Sequence, residues 1–212
     1  MGEKIDYKKR DKELYQPPCH PVLINVPPMN FIMVDGEGAP EGENYQQAIQ
    51  ALYSLSFTIK MSKLGSRPPA GYFDYAVPPL EGLWCGGESH NFLALPREKW
   101  RWTSLIRQPE FVTPEIFEEA VASCRSKKPG IPVERARFAT FNEGLCVQMM
   151  HVGPYSEEEA TIERIHAFIA KEGLVDMTGS DRRHHEIYLS NPERSSHPER
   201  LKTVLRIPVA RP

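Results

Sequence analysis

The sequence predicts an α+β fold made of two pseudo-symmetric β-α-β-β modules with a ligand cleft between them. Two observations carry this prediction. First, residues 31–107 and 138–209 each begin with a strand, a glycine-containing turn and an amphipathic helix, as the apolar spacing indicates. Second, two strand-like segments follow each of these helices, and "LEGLW" stands in the first half where "HEIYL" stands in the second. A repeated order of this kind indicates an internal duplication.

The first module follows a charged lead-in. Residues 1–20 form that lead-in, and residues 21–212 are predicted to be a single domain. The module opens with the strand "FIMVDGEG", and apolar residues at three- and four-residue steps predict a helix over residues 43–61. Proline and glycine then separate three strand-like segments, which are "YFDYAV", "LEGLWCG" and "KWRWTSLIRQ".

The second half of the chain is marked by helix caps. Thr113 is a good N-cap, and Pro114 after it fits the first position of a second helix. Ser156 and Glu159 show the capping-box pattern of a third helix, which Gly173 ends. Between these two helices the chain predicts a hairpin that turns near "NEG", and after the third helix it predicts two closing strands, "HHEIYL" and "LKTVLRIPV".

The proposed cleft follows from strand alternation. Each module would bury one sheet face under its helix, and the two uncovered faces would join as a shared concave surface. Glu186 and Tyr188 would line that surface, while Ile187 and Leu189 would pack against the helix. Glu81 would be the counterpart of Glu186 across the pseudo-dyad.

Acidic and aromatic side chains are the candidates for chemistry. A carboxylate in an apolar cleft, at Glu186 and then Glu81, either pairs with a cationic ligand or, with a raised pKa, exchanges a proton with a substrate or water. Aromatic rings bind flat or cationic ligands through stacking and cation–π contacts, although each ring could equally be a core residue. The candidates for such a cage are Tyr188 and Trp102, followed by Trp84, Tyr155, Tyr72 and Trp100.

Metal and nucleotide sites are disfavoured, so no cofactor is expected. His184 and His185 are adjacent and would point to opposite faces of a strand, and the chain has no HxH or HExxH spacing. The segment "DGEGAPEG" lacks both the G-x-G-x-x-G spacing and the lysine of a phosphate loop.

The composition bears on location and partners. A net charge of -2 over 212 residues gives no reason to expect a nucleic acid or an anionic membrane. No apolar run approaches the ~20 residues that span a bilayer, and the polar N-terminus lacks the apolar core of a signal peptide. We therefore expect a cytoplasmic protein.

The motifs resemble those of the GyrI-like small-molecule-binding family. The resemblance rests on "HVGPY" before the helix "SEEEATIERI", on the acid-bearing strand "HEIYL" and on the closing strand "KTVLRIPV". The intervening "YAVPPLEGLW" and "WRWTSLIRQPEFVTPE" are similar to the stand-alone subfamily of cyclopropanoid cyclopropyl hydrolases. The resemblance implies two fused modules of the SHS2 type, an aromatic cage and a buried cleft acid that maps onto Glu186.

Two functions from different classes remain open. The first is an enzyme that opens the cyclopropane of planar, DNA-alkylating natural products by adding water, which would detoxify them. The second is a protein that binds cationic aromatic drugs or toxins without chemistry. A regulator's subunit ranks last, because the residues before the first strand are too few and too polar for a helix-turn-helix. The expected partner is a small aromatic or cationic ligand, and the sequence leaves the oligomeric state open.

Overall fold

The computed structural model describes residues 4–65, 68–86, 95–179, 181–192 and 195–212. Two residues of the predicted connection "SNPERSSHPER", 193 and 194, lie outside this part of the chain. The helices are α1 (Tyr7–Arg10), α2 (Lys12–Tyr15), α3 (Glu43–Met61), α4 (Pro114–Lys127) and α5 (Glu158–Lys171). The strands are β1 (Val22–Val26), β2 (Met29–Glu37), β3 (Leu80–Cys85), β4 (Arg101–Arg107), β5 (Arg137–Phe141), β6 (Gly144–Val152), β7 (Val175–Asp176), β8 (His184–Tyr188) and β9 (Lys202–Ala210).

The strands form one antiparallel sheet whose order is itself pseudo-symmetric. The order is β1-β6-β9-β8-β3-β4-β2-β5, with the short β7 pairing to the end of β9. Reading outward from the centre, β3 matches β8, β4 matches β9, β2 matches β6 and β5 matches β1. The predicted α+β fold of two β-α-β-β modules, β2-α3-β3-β4 and β6-α5-β8-β9, is therefore confirmed.

The expected hairpin near "NEG" is wrong, because β5 and β6 pair with different partners. β5 pairs with β2 and β6 pairs with β1, so the two modules exchange their outer strands. Only two residues link β1 to β2, and only two link β5 to β6. Links this short require the sheet to curl until its two edges approach each other. The exchange also buries apolar surface, since Phe141 packs edge-on against Phe31 with ring centroids 6.2 Å apart.

Both long module helices lie on the face of the sheet that carries Glu186. Helix α5 packs on Met149 and Leu205, which belong to this face, and α3 packs over β2 and β4. The central strands β3 and β8 lie between the two helices. The expectation that Ile187 faces the helices is wrong, because it has the opposite parity to Glu186 and points to the other face. The predicted cleft therefore lies on the face that carries the helices, over β3 and β8, and not, as expected, on a face that the helices leave uncovered.

The other face of the sheet is covered by the N-terminal segment. The residues expected to be a charged lead-in fold into α1 and α2 and bury Tyr7, Leu14 and Tyr15. The charged residues between them remain at or near the surface, which is why the sequence predicts a charged lead-in here. The strand expected at "YFDYAV" does not form, and Tyr75 makes a single bridge with Ile5 instead.

Two helices have the predicted limits, and the predicted cap of a third does not form. Helices α3 and α4 have the expected limits, and the Thr113 side chain accepts a hydrogen bond from the Ile116 amide at 3.4 Å. The predicted capping box of Ser156 and Glu159 does not form, because a 3-10 turn occupies Tyr155–Glu157 and α5 begins only at Glu158. In the part of the chain that the structure describes, no helix is long and apolar enough to cross a membrane.

Candidate functional site

The floor of the cleft is a chain of hydrogen bonds that ends on Glu186. The Trp84 Nε1–H donates to the Tyr188 hydroxyl at 2.9 Å, and that hydroxyl donates to Glu186 Oε2 at 2.7 Å. The other carboxylate oxygen, Oε1, lies 3.4 Å from His184 Nε2. Glu186 is only 8% exposed. Its carboxylate is thus fixed in place at one oxygen by a neutral hydroxyl donor.

Gly82 makes room for this chain. It lies directly opposite Glu186 in the β3–β8 pairing. A Cβ at this position would lie 2.7 Å from Trp84 Nε1 and 2.9 Å from the Tyr188 hydroxyl oxygen. Real Cβ atoms do not approach other atoms this closely, so the glycine is required for the hydrogen bond between Trp84 and Tyr188.

Tyr45 and Glu158 face the floor from the two helices. They occupy the same place in the two modules, because each is the first buried residue of its helix and the next buried residue follows three positions later. The Tyr45 ring stacks on Trp84 with centroids 5.6 Å apart. Glu158 is 7% exposed, and its Oε1 has no hydrogen-bond partner among the described residues.

Burial keeps the side chains of Glu158, Tyr45 and Tyr188 protonated. Burial, together with the negative charge of Glu186, raises the pKa of the Glu158 carboxyl to about 9. Burial also raises the pKa of Tyr45 to about 12, and burial together with Glu186 raises the pKa of the Tyr188 hydroxyl. The cleft therefore presents hydroxyl donors and one neutral carboxylic acid around Glu186 at neutral pH.

Aromatic rings border the cleft. Tyr155, 39% exposed, packs edge-on against Tyr188 with centroids 5.7 Å apart. Trp100 packs edge-on against Trp84, also at 5.7 Å, and donates its Nε1–H to the Leu95 carbonyl at 3.1 Å. These rings are close to the predicted cage, and Tyr155 is the one most open to solvent.

Two of the predicted cage residues lie elsewhere. Trp102 is on the same face but only 1% exposed, with its ring over Gly36 and its Nε1–H bonded to the Gly38 carbonyl at 3.2 Å. It supports Tyr45 edge-on at 5.0 Å and belongs to the core. Tyr72 lies away from Glu186: it packs against Phe111 at 5.1 Å and donates its hydroxyl to the Lys60 carbonyl at 2.7 Å.

The prediction that Glu81 shares the cleft with Glu186 is wrong. Glu81 pairs with Ile187 in the register, so its side chain points to the opposite face. There His185 bridges Glu81 Oε2 at 2.9 Å and Glu143 Oε1 at 3.0 Å, and Arg206 Nη1 donates to Glu143 Oε2 at 2.7 Å. The carboxylates raise the pKa of His185 to about 9, so it is charged. Two cations therefore balance two anions in this buried network.

Sequence reasoning missed Tyr45 and Glu158 as site residues. Tyr45 fits the apolar stripe of α3, and Glu158 is one of several acids at the start of α5, so neither stands out in the sequence. The available signal was spacing, since Glu158, Thr161, Ile165 and Ile169 share one helix face. A glutamate on an otherwise buried stripe indicates an acid that faces inward.

Two cavities lie outside this cleft. One of about 550 Å³ is lined by His151 and Thr161 among others, and one of about 340 Å³ by Asp35 and Trp102 among others. Neither is lined by Glu186, whose carboxylate is covered by its neighbours. Within the described ranges, no group of three or more His, Cys, Asp or Glu side chains is arranged to hold a metal ion.

Comparisons with known proteins agree with the fold. Residues 104–210, about half of the chain, match the GyrI-like small molecule binding domain. Among curated proteins, none matches the sequence. A crystal structure of a hydrolase from Listeria innocua is 50% identical with a TM-score of 0.90, and the match covers 98% of this chain and 100% of that one.

Two further structures extend the comparison. An uncharacterized conserved protein from Listeria innocua is 51% identical with a TM-score of 0.93, over 98% of this chain and 100% of that one. The EcmrR C-terminal domain is 11% identical with a TM-score of 0.55, over 91% of this chain and 98% of that one, and so shares the fold alone. The chain belongs to the GyrI-like small-molecule-binding family.

Proposed function

We propose that this protein hydrolyses the cyclopropane of planar, DNA-alkylating natural products, and so detoxifies them. The observation that carries the proposal is the juxtaposition of two carboxyl groups with opposite roles. Glu186 is held by Tyr188 as an acceptor, and Glu158 lies beside it as a buried acid with an unpartnered oxygen. A base and an acid in one aromatic cleft suit a reaction that takes a proton from water and gives one to the substrate.

The reaction balances with these groups. In a cyclopropane fused to a cyclohexadienone, the oxygen of water bonds to a cyclopropane carbon, and the bond from that carbon to the dienone ring breaks. The released electron pair moves to the carbonyl oxygen, which takes up a proton and becomes a phenol. Glu186 accepts the proton that the attacking water loses. Strain release and aromatisation drive the step, so positioned acid–base help worth roughly 10²- to 10⁴-fold is sufficient.

The aromatic rings would hold the flat substrate. Tyr45 and Trp84 are buried beside Glu186, and the partly exposed Tyr155 marks the side from which a ligand would enter and open the site. The Listeria structure described as a hydrolase adds support, because it matches at 50% identity over 98% of this chain.

The test is chemical. The protein is incubated with a cyclopropyl-dienone alkylator in heavy-oxygen water, and the products are separated and weighed by mass spectrometry. We expect one water to be added, with the heavy oxygen on the former cyclopropane carbon. Product formation no faster than in buffer alone would refute the proposed hydrolysis.

A second candidate is binding without chemistry. It is favoured by the same carboxylate among aromatic rings, which suits a cationic aromatic drug. On this alternative, Glu186→Gln weakens a cationic ligand far more than a neutral ligand of the same shape. Equal weakening of both ligands would count against it.

A further inference from the structure

Glu158, the first residue of α5, is buried although it stands between two other glutamates. Its neighbours in sequence, Glu157 and Glu159, are exposed, whereas Glu158 is 7% exposed and its Oε1 has no hydrogen-bond partner among the described residues. An unpaired oxygen of a buried carboxyl costs free energy unless something else satisfies it. A ligand in the cleft would do so.

The surroundings of Glu158 decide which ligand atom fits. Glu186 is the charged group that acts on it, Thr203 lies beside it, and Tyr155 belongs to the preceding turn. Two carboxyl groups that share an apolar site hold one proton between them more stably than none. Because Tyr188 already donates to Glu186, the acceptor role belongs to Glu186 and the proton to Glu158.

We propose that the carboxylic acid of Glu158 donates a hydrogen bond to a carbonyl oxygen of the ligand, which makes the cleft selective for neutral, planar carbonyl compounds. This inference rests on the proposed function and names the proton donor for it. Glu158 gives its proton to the oxygen that becomes the phenol, while Glu186 takes one from water. The pair therefore holds one proton before and after the reaction, and exchange within the pair restores the starting state.

The binding test uses three matched bicyclic probes. Chromone is neutral and has a conjugated carbonyl, naphthalene is neutral and has none, and N-methylquinolinium is a cation. Calorimetric titration of the wild-type protein should rank chromone first. A higher affinity for N-methylquinolinium than for chromone, or no binding of chromone, would overturn the proposal.

Variants of Glu158 separate hydrogen bonding from proton transfer. Glu158→Gln keeps an N–H donor and should keep chromone binding within a few-fold, because a neutral hydrogen bond contributes only about 0.5–1.5 kcal/mol, roughly 2- to 13-fold. Glu158→Leu leaves the carbonyl unpaired and should weaken chromone about tenfold or more without weakening naphthalene. The exposed Glu159→Gln is the matched control and should bind like the wild type. Unchanged chromone affinity in Glu158→Leu would contradict the role.

An infrared measurement tests the proton directly. A neutral carboxylic acid has a C=O stretch above the amide band that a carboxylate lacks. The wild-type protein at neutral pH should show this band, and Glu158→Gln should lose it, whereas Glu159→Gln should keep it. A spectrum without the band in the wild type would overturn the assignment. Turnover does not enter these readouts, so failure to hydrolyse the dienone would refute the proposed function separately.

Discussion

Adding a single methyl group at Gly82 should disable the cleft while leaving the fold in place. In Gly82→Ala the new Cβ meets Trp84 Nε1 at 2.7 Å and the Tyr188 hydroxyl at 2.9 Å. Ordinary carbon contacts lie at about 3.5–4.0 Å, so the hydrogen-bonded pair must open by up to about 1 Å. The rings cannot retreat freely, because Trp84 is held between Tyr45 and Trp100.

The expected magnitude follows from these contacts. Overpacking a filled site costs about 1–3 kcal/mol, which in a chain of this size lowers Tm by roughly 2–12 °C. Strand propensity alone would predict the opposite sign, since glycine in a strand costs stability relative to alanine. A displacement of about 1 Å in a catalytic group can cost about 10²-fold in rate. We therefore expect hydrolysis of the dienone to fall about a hundredfold, with a smaller loss of ligand affinity.

The assay pairs thermal unfolding with single-turnover product formation. Gly179→Ala is the matched control, because a Cβ at Gly179 meets nothing within 4 Å. The control should change stability by less than about 0.5 kcal/mol and leave turnover intact. If Gly82→Ala matched the wild type in both Tm and turnover, the reasoning about the hydrogen-bond chain would be refuted.

Three further predictions concern the buried charges and the rim of the cleft. His185→Gln removes the cation between Glu81 and Glu143 and should lower the free energy of unfolding, measured with urea, by about 3–5 kcal/mol. Because the pKa of His185 is raised to about 9 in the folded protein, this loss should be largest below pH 6.5 and shrink as the pH rises through 9. A loss of stability that does not depend on pH would contradict this prediction. The pKa of Glu158 is raised in the folded protein, so protonation of this carboxyl favours the native state at low pH. The stability of Glu158→Gln relative to the wild type should therefore increase from pH 5 to pH 9. A stability difference that stays constant over this range would argue against a buried acid. Tyr155→Ala removes a partly exposed ring and should weaken chromone by a factor of about 2 to 10 with little change in Tm, and a Tm loss without an affinity loss would place the ring in the core.

The fold was predictable because its signals are periodic. The helix stripe over Glu43–Met61, the Thr113 cap and the repeated order of elements all depend on local spacing, which the structure reproduces. The exchange of β1 and β5 between modules was not predictable. Strand alternation indicates which residues face inward, but not which strand is the partner.

Strand alternation predicted part of the candidate site correctly. Alternation placed Glu186 and Tyr188 on one face, and the structure agrees. Matching Glu81 to Glu186 aligned one acid with another, but the register sets Gly82 opposite Glu186. A shift of one residue moves a side chain to the other face of a sheet, and Glu81 therefore lies in the ion network on the far side.

Contacts between distant elements explain the remaining misses. Trp102 has the right parity, but Gly36 makes room for its ring under Tyr45, so the ring packs there and not beside Glu186. The sequence predicts a charged lead-in for the N-terminal residues, yet the Leu14 carbonyl accepts a hydrogen bond from Arg206 Nη2 at 3.1 Å. These pairings join parts of the chain that no local pattern connects.

The most direct test of the central claim is the fate of the dienone in Glu186→Gln. The amide keeps the size of the side chain but cannot accept the proton of the attacking water. We predict that this variant binds the cyclopropyl-dienone yet adds water about 10²- to 10⁴-fold more slowly than the wild type in single-turnover mass spectrometry, while the exposed Glu157→Gln control reacts normally. Wild-type rates in Glu186→Gln would contradict the account.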